Sequence, residues 1–335
     1  MCAISSTNDP AAVASRLAAA GSLVVATHDR PDGDAIGSMM ALALAARAAG
    51  KNVQVTLAEP VPRRYAFLTA GETVLDAAGF ARAAAISDCV AIVDTSAMEQ
   101  LRGIAAALPA ARERLVVIDH HQTREDIAAA TWSDPSAAAV GVMVVEMLDL
   151  LGWSLSVAVA RAALAAICSD TGWMQYANTD GRALRTAARC VEAGVSADEL
   201  YRTLFMNDRP ERLALMGRML AGMTLHAGGR VALMRISRED FRLSGAGPDE
   251  TENLINEALR IGGVAVALLL VEQGPEIRGS LRSKNPIAGG PAVDVAKIAQ
   301  SLGGGGHARA AGFRMTGTLE QACKTALAAV ERALA

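Results

Sequence analysis

The chain has 335 residues, of which 52% are hydrophobic and 20% charged, and its formal net charge is −3. This length suffices for two domains with their own cores, and the hydrophobic content excludes an intrinsically disordered chain. Only 3% of the residues are aromatic. With the negative charge, this argues against a protein that binds long nucleic acids, because such proteins present a basic stripe and stacking rings. Any nucleic acid substrate is therefore expected to be short.

The N-terminal residues and the cysteines predict a cytoplasmic protein. MCAISSTNDP has no basic region followed by an apolar core, and no run of about 20 residues is purely apolar, so neither a signal peptide nor a membrane span is predicted. The five cysteines are dispersed and form no CxxC pair. This argues against a disulfide framework and against a structural zinc site. A reducing cytoplasm is the simplest compartment.

Helices and strands alternate in the first half of the chain, which predicts an α/β fold. A parallel sheet with helices on both faces explains this alternation, and ligands of such sheets bind at the carboxyl ends of the strands. The predicted helices are 7–20 and 35–50, and the predicted strands are 22–28, 52–58, 88–96 and 114–121.

The second half predicts a helical connector and a smaller α+β domain. Residues 136–169 form two helices, and 182–220 are helical and charged. The tail predicts hairpins that turn at 228–229 and 274–275, then a helix, a strand and a final helix. The expected domains are 1–190, a connector over 191–220, and 221–335.

Polar residues follow the first apolar strand with the spacing H-x-x-x-D-x-D. They are His28, Asp32 and Asp34, and the helix that begins near Ala35 offers its positive N-terminus to an anion. Each aspartate alone is as well explained as a helix N-cap on a solvated loop. Taken together, the imidazole and the two carboxylates form a ligand set without cysteine, which suits Mn²⁺, Mg²⁺, Co²⁺ or Fe²⁺ better than structural zinc.

Three further segments place acids and histidines at predicted strand or helix ends. Asp94 lies in VDTS, Asp119, His120 and His121 in VIDHHQT, and Asp170 in CSDTGW. Each segment alone has a plainer explanation as a cap or a surface loop. Taken with the first cluster, these segments nevertheless contain three of the five histidines, His28, His120 and His121, and the conjunction predicts a metal site. Six such groups suffice for two ions that share a bridging carboxylate.

These segments together resemble the DHH phosphoesterase superfamily. HDRPDGD, VDTS, DHH and SDTG resemble its four motifs in their order, and GGGGHARAAGF resembles the signature of the DHHA1 domain. The match extends over nearly the whole chain. Within the superfamily, the sequence is most similar to the NrnA-type branch of oligoribonucleases and 3′-phosphoadenosine 5′-phosphate (PAP) phosphatases, which is related to RecJ. The resemblance implies a DHH catalytic domain, the connector and a DHHA1 substrate-binding domain.

The resemblance also implies a role for each motif residue. His121 would act as general acid or contact the phosphate, and Asp119 would orient the histidines. The ions would be Mn²⁺, with Mg²⁺ or Co²⁺ as alternatives. Two ions with Asp94 as the bridge would take two ligand sets: His28, Asp32 and Asp94 for one, and Asp34, Asp94, His120 and Asp170 for the other.

The DHHA1 segment is expected to bind the substrate phosphate. In EIRGSLRSK, the side chains of Arg278, Ser280, Arg282 and Lys284 share one face of a strand, although such a face is also ordinary solvated surface. By resemblance, SLRS places Arg282 and Ser283 at the substrate. The glycine-rich segment 303–307 is expected to be a loop whose backbone N–H groups approach an anion. Its candidates are Gly304, Gly305, Gly306 and His307.

The expected activity is two-metal hydrolysis of short oligoribonucleotides and PAP in a cleft between the domains. The alternative substrate is a cyclic or linear dinucleotide such as cyclic di-AMP or pApA. A RecJ-like exonuclease, a pyrophosphatase and a non-catalytic nucleotide-binding module fit the residues less well. No membrane and no long nucleic acid are expected as partners, and a homodimer is consistent with the apolar helices.

Overall fold

The computed structural model describes residues 7–284 and 292–334. The chain divides into two compact units, with the division between Asn207 and Asp208. This division lies inside the segment predicted as a connector, and helices occupy most of that segment.

A sheet of seven parallel strands, counted within residues 7–207, forms the centre of the first unit. The strands are β1 (Thr7–Asn8), β2 (Ser22–Ala26), β3 (Asn52–Thr56), β4 (Val74–Leu75), β5 (Cys89–Val93), β6 (Leu115–Asp119) and β7 (Ala130–Ser133). Their order in space is β1-β7-β6-β5-β2-β3-β4. The predicted parallel α/β architecture is confirmed.

Helices pack on both faces of this sheet, because alternate residues of each strand enter different cores. In β2, Leu23 and Val25 belong to one apolar cluster, and Val24 and Ala26 belong to another. A strand buried on both faces is apolar throughout, which explains the continuous runs in the sequence. The helices are α1 (Pro10–Ala19), α2 (Gly33–Ala48), α3 (Ala77–Ile86), α4 (Leu108–Ala111), α5 (Val140–Leu151), α6 (Val157–Asp170), α7 (Gly181–Glu192) and α8 (Ala197–Phe205).

Two features of this packing gather the polar motifs at one edge. Strands β2, β5 and β6 are neighbours in register, so the residues that follow them lie side by side. Helix α6 packs closely on α2: a Cβ on Gly37 would lie 2.6 Å from the carbonyl oxygen of Ala162. Glycine at this position therefore allows the helix that ends at Asp170 to approach the helix that begins beside Asp34.

The second unit contains a mixed sheet, six-stranded in the described part of residues 208–334. Its strands are β8 (Thr224–His226), β9 (Val231–Ile236), β10 (Val266–Gln273), β11 (Glu276–Ser283), β12 (Gly305–His307) and β13 (Ala310–Thr316), and its helices are α9 (Pro210–Ala221), α10 (Arg238–Ser244), α11 (Val295–Ser301) and α12 (Leu319–Leu334). The order is β12-β13-β11-β10-β9-β8, with β9 and β10 parallel and the other pairs antiparallel. Both predicted hairpins and the α+β class are confirmed.

Two sequence-based expectations are corrected. The first helix begins at Pro10, with Asp9 as its N-cap, because Thr7–Asn8 pair with β7 as a strand. The loop predicted over residues 303–307 is partly wrong, because Gly305–His307 form the edge strand β12. Close packing on β13 explains two of the glycines, since a Cβ on Gly304 would lie 2.1 Å from the Gly312 carbonyl oxygen and one on Gly306 would lie 2.6 Å from the Ala310 carbonyl oxygen.

Within the described residues, no helix combines the length and the apolar character needed to cross a membrane.

Candidate metal centre

Asp94 lies at the centre of the polar cluster, directly after β5. Only 2% of its surface is exposed. Its backbone adopts a left-handed conformation with φ of 65°, which is uncommon outside glycine and typical of functional positions. Within the described residues, its buried Oδ1 atom has no hydrogen-bond partner. A carboxylate oxygen buried in this way is costly unless a cation or a donor occupies the space beside it.

Three histidines surround the Asp94 carboxylate. The Nε2 atom of His28 lies 3.5 Å from Asp94 Oδ2, and Nε2 of His120 lies 3.5 Å from Asp94 Oδ1. The Nδ1 atom of His121 lies 3.8 Å from the same Oδ1 atom. The three segments that the sequence placed at neighbouring strand ends therefore converge on one side chain.

Asp32 begins α2 and serves two purposes. Its Oδ1 atom accepts hydrogen bonds from the backbone N–H groups of Asp34 and Ala35, both at 3.0 Å, which is the N-cap arrangement that the sequence also allowed. The same side chain groups with His28 and Asp94, with ligand atoms within 4.8 Å of one another. Capping fixes the carboxylate and does not remove it from the site.

Asp34 is fully buried and is held by three donors. The N–H of Val140 donates to its Oδ2 at 2.6 Å, and the N–H of Gly141 donates to its Oδ1 at 2.9 Å. The hydroxyl of Ser38 donates to Oδ1 at 2.8 Å. These bonds fix Asp34 beside His120, whose Nε2 lies 3.9 Å from Asp34 Oδ2.

His120 has a defined orientation because its Nδ1–H donates to the carbonyl of Ala137 at 3.0 Å. The lone pair of Nε2 is thus directed toward Asp34, Asp94 and Asp170, whose Oδ2 lies 3.4 Å away. Such an arrangement is typical of metal-ligating histidines. Asp170 is the last residue of α6.

His121 is oriented by Asp119. The Nδ1–H of His121 donates to Asp119 Oδ1 at 2.8 Å, and the His121 backbone N–H donates to the same oxygen at 3.1 Å. The hydroxyl of Ser96 donates to the other oxygen of Asp119 at 2.7 Å. Asp119 is fully buried. Because Asp119 binds Nδ1, Nε2 is the ring nitrogen of His121 that remains for other contacts.

The electrostatics of the site favour a bound cation. Burial raises the pKa of Asp34, and it raises the pKa of Asp94 well above its usual range, helped by the charges of Asp34 and Asp32. Burial acts to lower the pKa of His120, but the carboxylates of Asp94 and Asp34 outweigh it and raise that pKa. A cation among these carboxylates would stabilise their charged forms.

The donor set fits divalent metal ions. Three groups have ligand atoms within 4.8 Å of one another: His28, Asp32 and Asp94; Asp34, His120 and Asp170; and Asp94, His120 and His121. The first two groups match the predicted ligand sets, apart from the bridging of Asp94 to the second. The third adds His121. Oxygen and imidazole nitrogen donors around the unpartnered Asp94 Oδ1 suit Mn²⁺ and similar ions.

The sequence reasoning did not identify the residues that hold this cluster in place. Five of them act through backbone atoms or small hydroxyls: Ser38, Ser96, Ala137, Val140 and Gly141. The sixth is Asn178, whose side-chain N–H₂ donates to the carbonyls of Ala138 and Asp170 at 3.0 and 3.1 Å. Only Ser96, inside VDTS, lies in a motif that the sequence analysis singled out.

The predicted substrate contacts lie in the second unit. Arg282 and Ser283 point to opposite faces of β11: Arg282 is half-buried, whereas Ser283 is buried and its hydroxyl donates to the carbonyl of Val293 at 2.7 Å. His307 is exposed on β12. The side chain of Lys284 donates to the carbonyls of Leu259 and Ile261.

Comparison with known proteins identifies both units. Residues 22–168 match the DHH family, N-terminal domain, and residues 231–335 match the DHHA1 domain. A protein of Thermus thermophilus named bifunctional oligoribonuclease and PAP phosphatase NrnA is 33% identical over 317 residues, which are 94% of this chain and 90% of that protein.

Solved structures share the fold. An exopolyphosphatase-related protein from Bacteroides fragilis aligns with a TM-score of 0.87 at 24% identity, over 97% of this chain and 95% of that one. RecJ from Thermus thermophilus, in complex with Mn²⁺, aligns with a TM-score of 0.50 at 18% identity, over 96% of this chain and 53% of that one. With both domain matches and the 33% identical relative, the chain belongs to the DHH phosphoesterase family, in the branch with a DHHA1 domain, and is a hydrolase acting on phosphoester bonds.

Proposed function

We propose that this chain hydrolyses short oligoribonucleotides and PAP with two divalent ions, Mn²⁺ in the first place. The buried, unpartnered Oδ1 atom of Asp94 among three histidines is the observation that carries the metal dependence. The substrates are supported by the name of the Thermus thermophilus relative, bifunctional oligoribonuclease and PAP phosphatase NrnA. The net charge of −3 and the low aromatic content agree with short substrates rather than long ones.

The ligand groups divide the metal-binding roles. His28, Asp32 and Asp94 would hold one ion, and Asp34, His120 and Asp170 would hold the other, with Asp94 between the two groups. Divalent ions in such a site supply Lewis-acid activation of the phosphoryl group. Asp34 and His120 are fixed by the bonds to Val140, Gly141 and Ala137, so both ligands are preorganised.

His121 is the residue that we assign to proton transfer. Asp119 binds its Nδ1 atom, so Nε2 is the atom that can donate a proton to the departing oxygen. Ser96 and Asp119 keep the ring in this orientation. A general acid must lie within hydrogen-bond reach of the leaving group. The leaving oxygen of the substrate is therefore expected to bind beside Nε2 of His121.

The second unit is assigned to substrate binding. Arg282 and His307, which lie on the same face of its sheet, would bind substrate phosphate through charge-assisted hydrogen bonds. The backbone of Gly304, Gly305 and Gly306 and the Ser283 hydroxyl, which anchors the neighbouring loop, complete the proposed site. The described cysteines are buried free thiols, which agrees with a reducing cytoplasm.

A substrate panel tests this function. The purified protein with Mn²⁺ is given a diribonucleotide, PAP, cyclic di-AMP, pyrophosphate and long single-stranded DNA, each with and without EDTA. Rapid, EDTA-sensitive hydrolysis of the diribonucleotide and PAP is expected. Preference for pyrophosphate or for long DNA would overturn the substrate assignment, and equal turnover in EDTA would overturn the metal dependence.

A further inference from the structure

The sheet of the second unit has a basic area on the face where α9 packs. Ala267 and Val271 of β10 belong to the apolar cluster that includes α9 residues. Their partners across β11 are Arg282 and Arg278, and directly paired residues of neighbouring strands lie on the same face. Arg278 is exposed and Arg282 is half-buried, so the apolar cover of this face ends at β11.

The same face continues onto β13 and β12. Arg314 of β13 is the direct partner of Arg278, and Ala310 is the partner of both Arg282 and His307. Arg314 and His307 are exposed. The area therefore contains two rows of cationic or imidazole groups, separated by the small residues of a third row: Ser280, Gly312 and Gly305.

The charge on this face is unusual for a chain with a net charge of −3. Among the described residues of β11 to β13, the face has three guanidinium groups, those of Arg278, Arg282 and Arg314, and one carboxylate, Glu276, which pairs with Arg314. Arg278 and Arg314 are direct partners on adjacent strands, so an anion placed beside them can accept hydrogen bonds from both guanidinium groups.

We propose that Arg278 and Arg314 form a second phosphate subsite, which binds the backbone of oligoribonucleotides longer than a dinucleotide. Arg278 lies four residues from Arg282 on one strand, which is about 13 Å, so the two positions are placed to contact different phosphates. Guanidinium groups bind phosphate oxygens through paired hydrogen bonds. This inference rests on the proposed function and specifies its preferred substrate length.

The surface also predicts how the strand is recognised. Within the described parts of β11, β12 and β13, no Phe, Tyr or Trp lies on this face, because Phe313 belongs to the opposite core. Contacts to phosphates alone fix the position of a strand without reading its bases. The subsite should therefore favour longer substrates without base preference.

Steady-state kinetics with substrates of different length test this proposal. For R278Q/R314Q, we expect KM for a pentaribonucleotide to rise about fivefold to tenfold with kcat unchanged, as for loss of two charge-assisted contacts at an exposed site. KM for a diribonucleotide and for PAP should change less than twofold. By contrast, Arg282→Ala should raise KM for all three. Arg242→Gln, an exposed arginine paired with Glu239 on α10, is the matched control and should change none of them.

A binding measurement in EDTA separates this proposal from the proposed function. The anisotropy of a labelled pentaribonucleotide should show a salt dependence whose log–log slope is lower by about 1.4 in R278Q/R314Q, the value for two phosphates of a single strand. Glu276→Gln should bind the pentaribonucleotide more tightly, because it removes the competing carboxylate; a purely structural role would not produce this gain.

The outcomes are distinct. If the natural protein hydrolyses the diribonucleotide but R278Q/R314Q loses nothing on the pentaribonucleotide, or loses equally on all substrates, the subsite is wrong and the function stands. If the natural protein hydrolyses no ribonucleotide, the proposed function fails. The slope and the Glu276→Gln result then still decide whether the arginines bind a strand.

Discussion

Asp94 has features that lower the stability of the metal-free protein and suit it to bind a cation. It is buried, its backbone is left-handed, and its Oδ1 atom has no hydrogen-bond partner within the described residues. Asp32 and Asp34 add charges of the same sign. Each of these features costs free energy in the metal-free protein, and a divalent cation offsets the repulsion.

The first prediction concerns stability. In EDTA, Asp94→Asn should unfold at a higher temperature than the natural protein, with a gain of about 1–3 kcal/mol in the free energy of unfolding, because a repelled buried charge is removed. Asparagine suits the test because it tolerates the left-handed conformation better than alanine does. With Mn²⁺, the natural protein should be stabilised and the variant much less. Thermal unfolding followed by circular dichroism measures both effects, and a lower midpoint for the variant in EDTA would refute the account of strain.

The second prediction separates proton transfer from metal binding. His121→Ala should keep its bound Mn²⁺ and lose about 100-fold or more in kcat, as expected for a general acid. His121 also belongs to a potential ligand group with Asp94 and His120, so metal content must be measured beside turnover. Parallel loss of both would show that His121 is a ligand. His226→Ala, at the exposed edge strand β8, is the control and should change neither.

At the scale of elements, the segment 134–141 supports the metal centre. The carbonyls of Ala137 and Ala138 accept hydrogen bonds from the side chains of His120 and Asn178. The backbone N–H groups of Val140 and Gly141 donate to the carboxylate of Asp34. Arg182 of α7 links the start of this segment to the helix that follows it. Its guanidinium donates to Asp134 at 2.5 Å and to both oxygens of Glu146 on α5 at 2.7 and 2.5 Å.

This leads to a third prediction, with a control on the same helix. Arg182→Met should lower the affinity for Mn²⁺ about tenfold, as for loss of an outer support of metal ligands, without removing a ligand. Arg189→Met removes a comparable bidentate pair, with Asp149, one heptad further along α7 and outside the segment. Mn²⁺ titration calorimetry compares them, and equal affinities in the two variants would exclude this positioning role.

At the scale of the whole molecule, the sequence predicted what periodicity and polar strand ends encode. The apolar runs that became β2, β5 and β6 end in His28, Asp94 and Asp119, and the parallel topology brought these residues together as expected. Hairpins marked by glycines at 228–229 and 274–275 were equally readable, because their turns require such residues.

What could not be predicted depends on backbone atoms and on close packing. The carbonyl of Ala137 and the N–H groups of Val140 and Gly141 position ligands, yet nothing in the run SAAAVG distinguishes them from ordinary helix residues. The glycines at 304–306 indicated a loop, whereas the close approach of β13 is what requires glycine at 304 and 306. Tertiary contacts of this kind leave no local pattern in one sequence.

The most direct test of the central claim is to measure bound Mn²⁺ and diribonucleotide turnover on the same samples during a Mn²⁺ titration. For the natural protein, we predict no turnover in EDTA and activity that rises as two ions bind per chain. Asp94→Asn should stay folded, bind metal weakly and remain at least about 1000-fold less active, since it lacks the proposed bridging ligand. Full activity in EDTA, or natural turnover by folded Asp94→Asn, would contradict a hydrolytic centre built around Asp94.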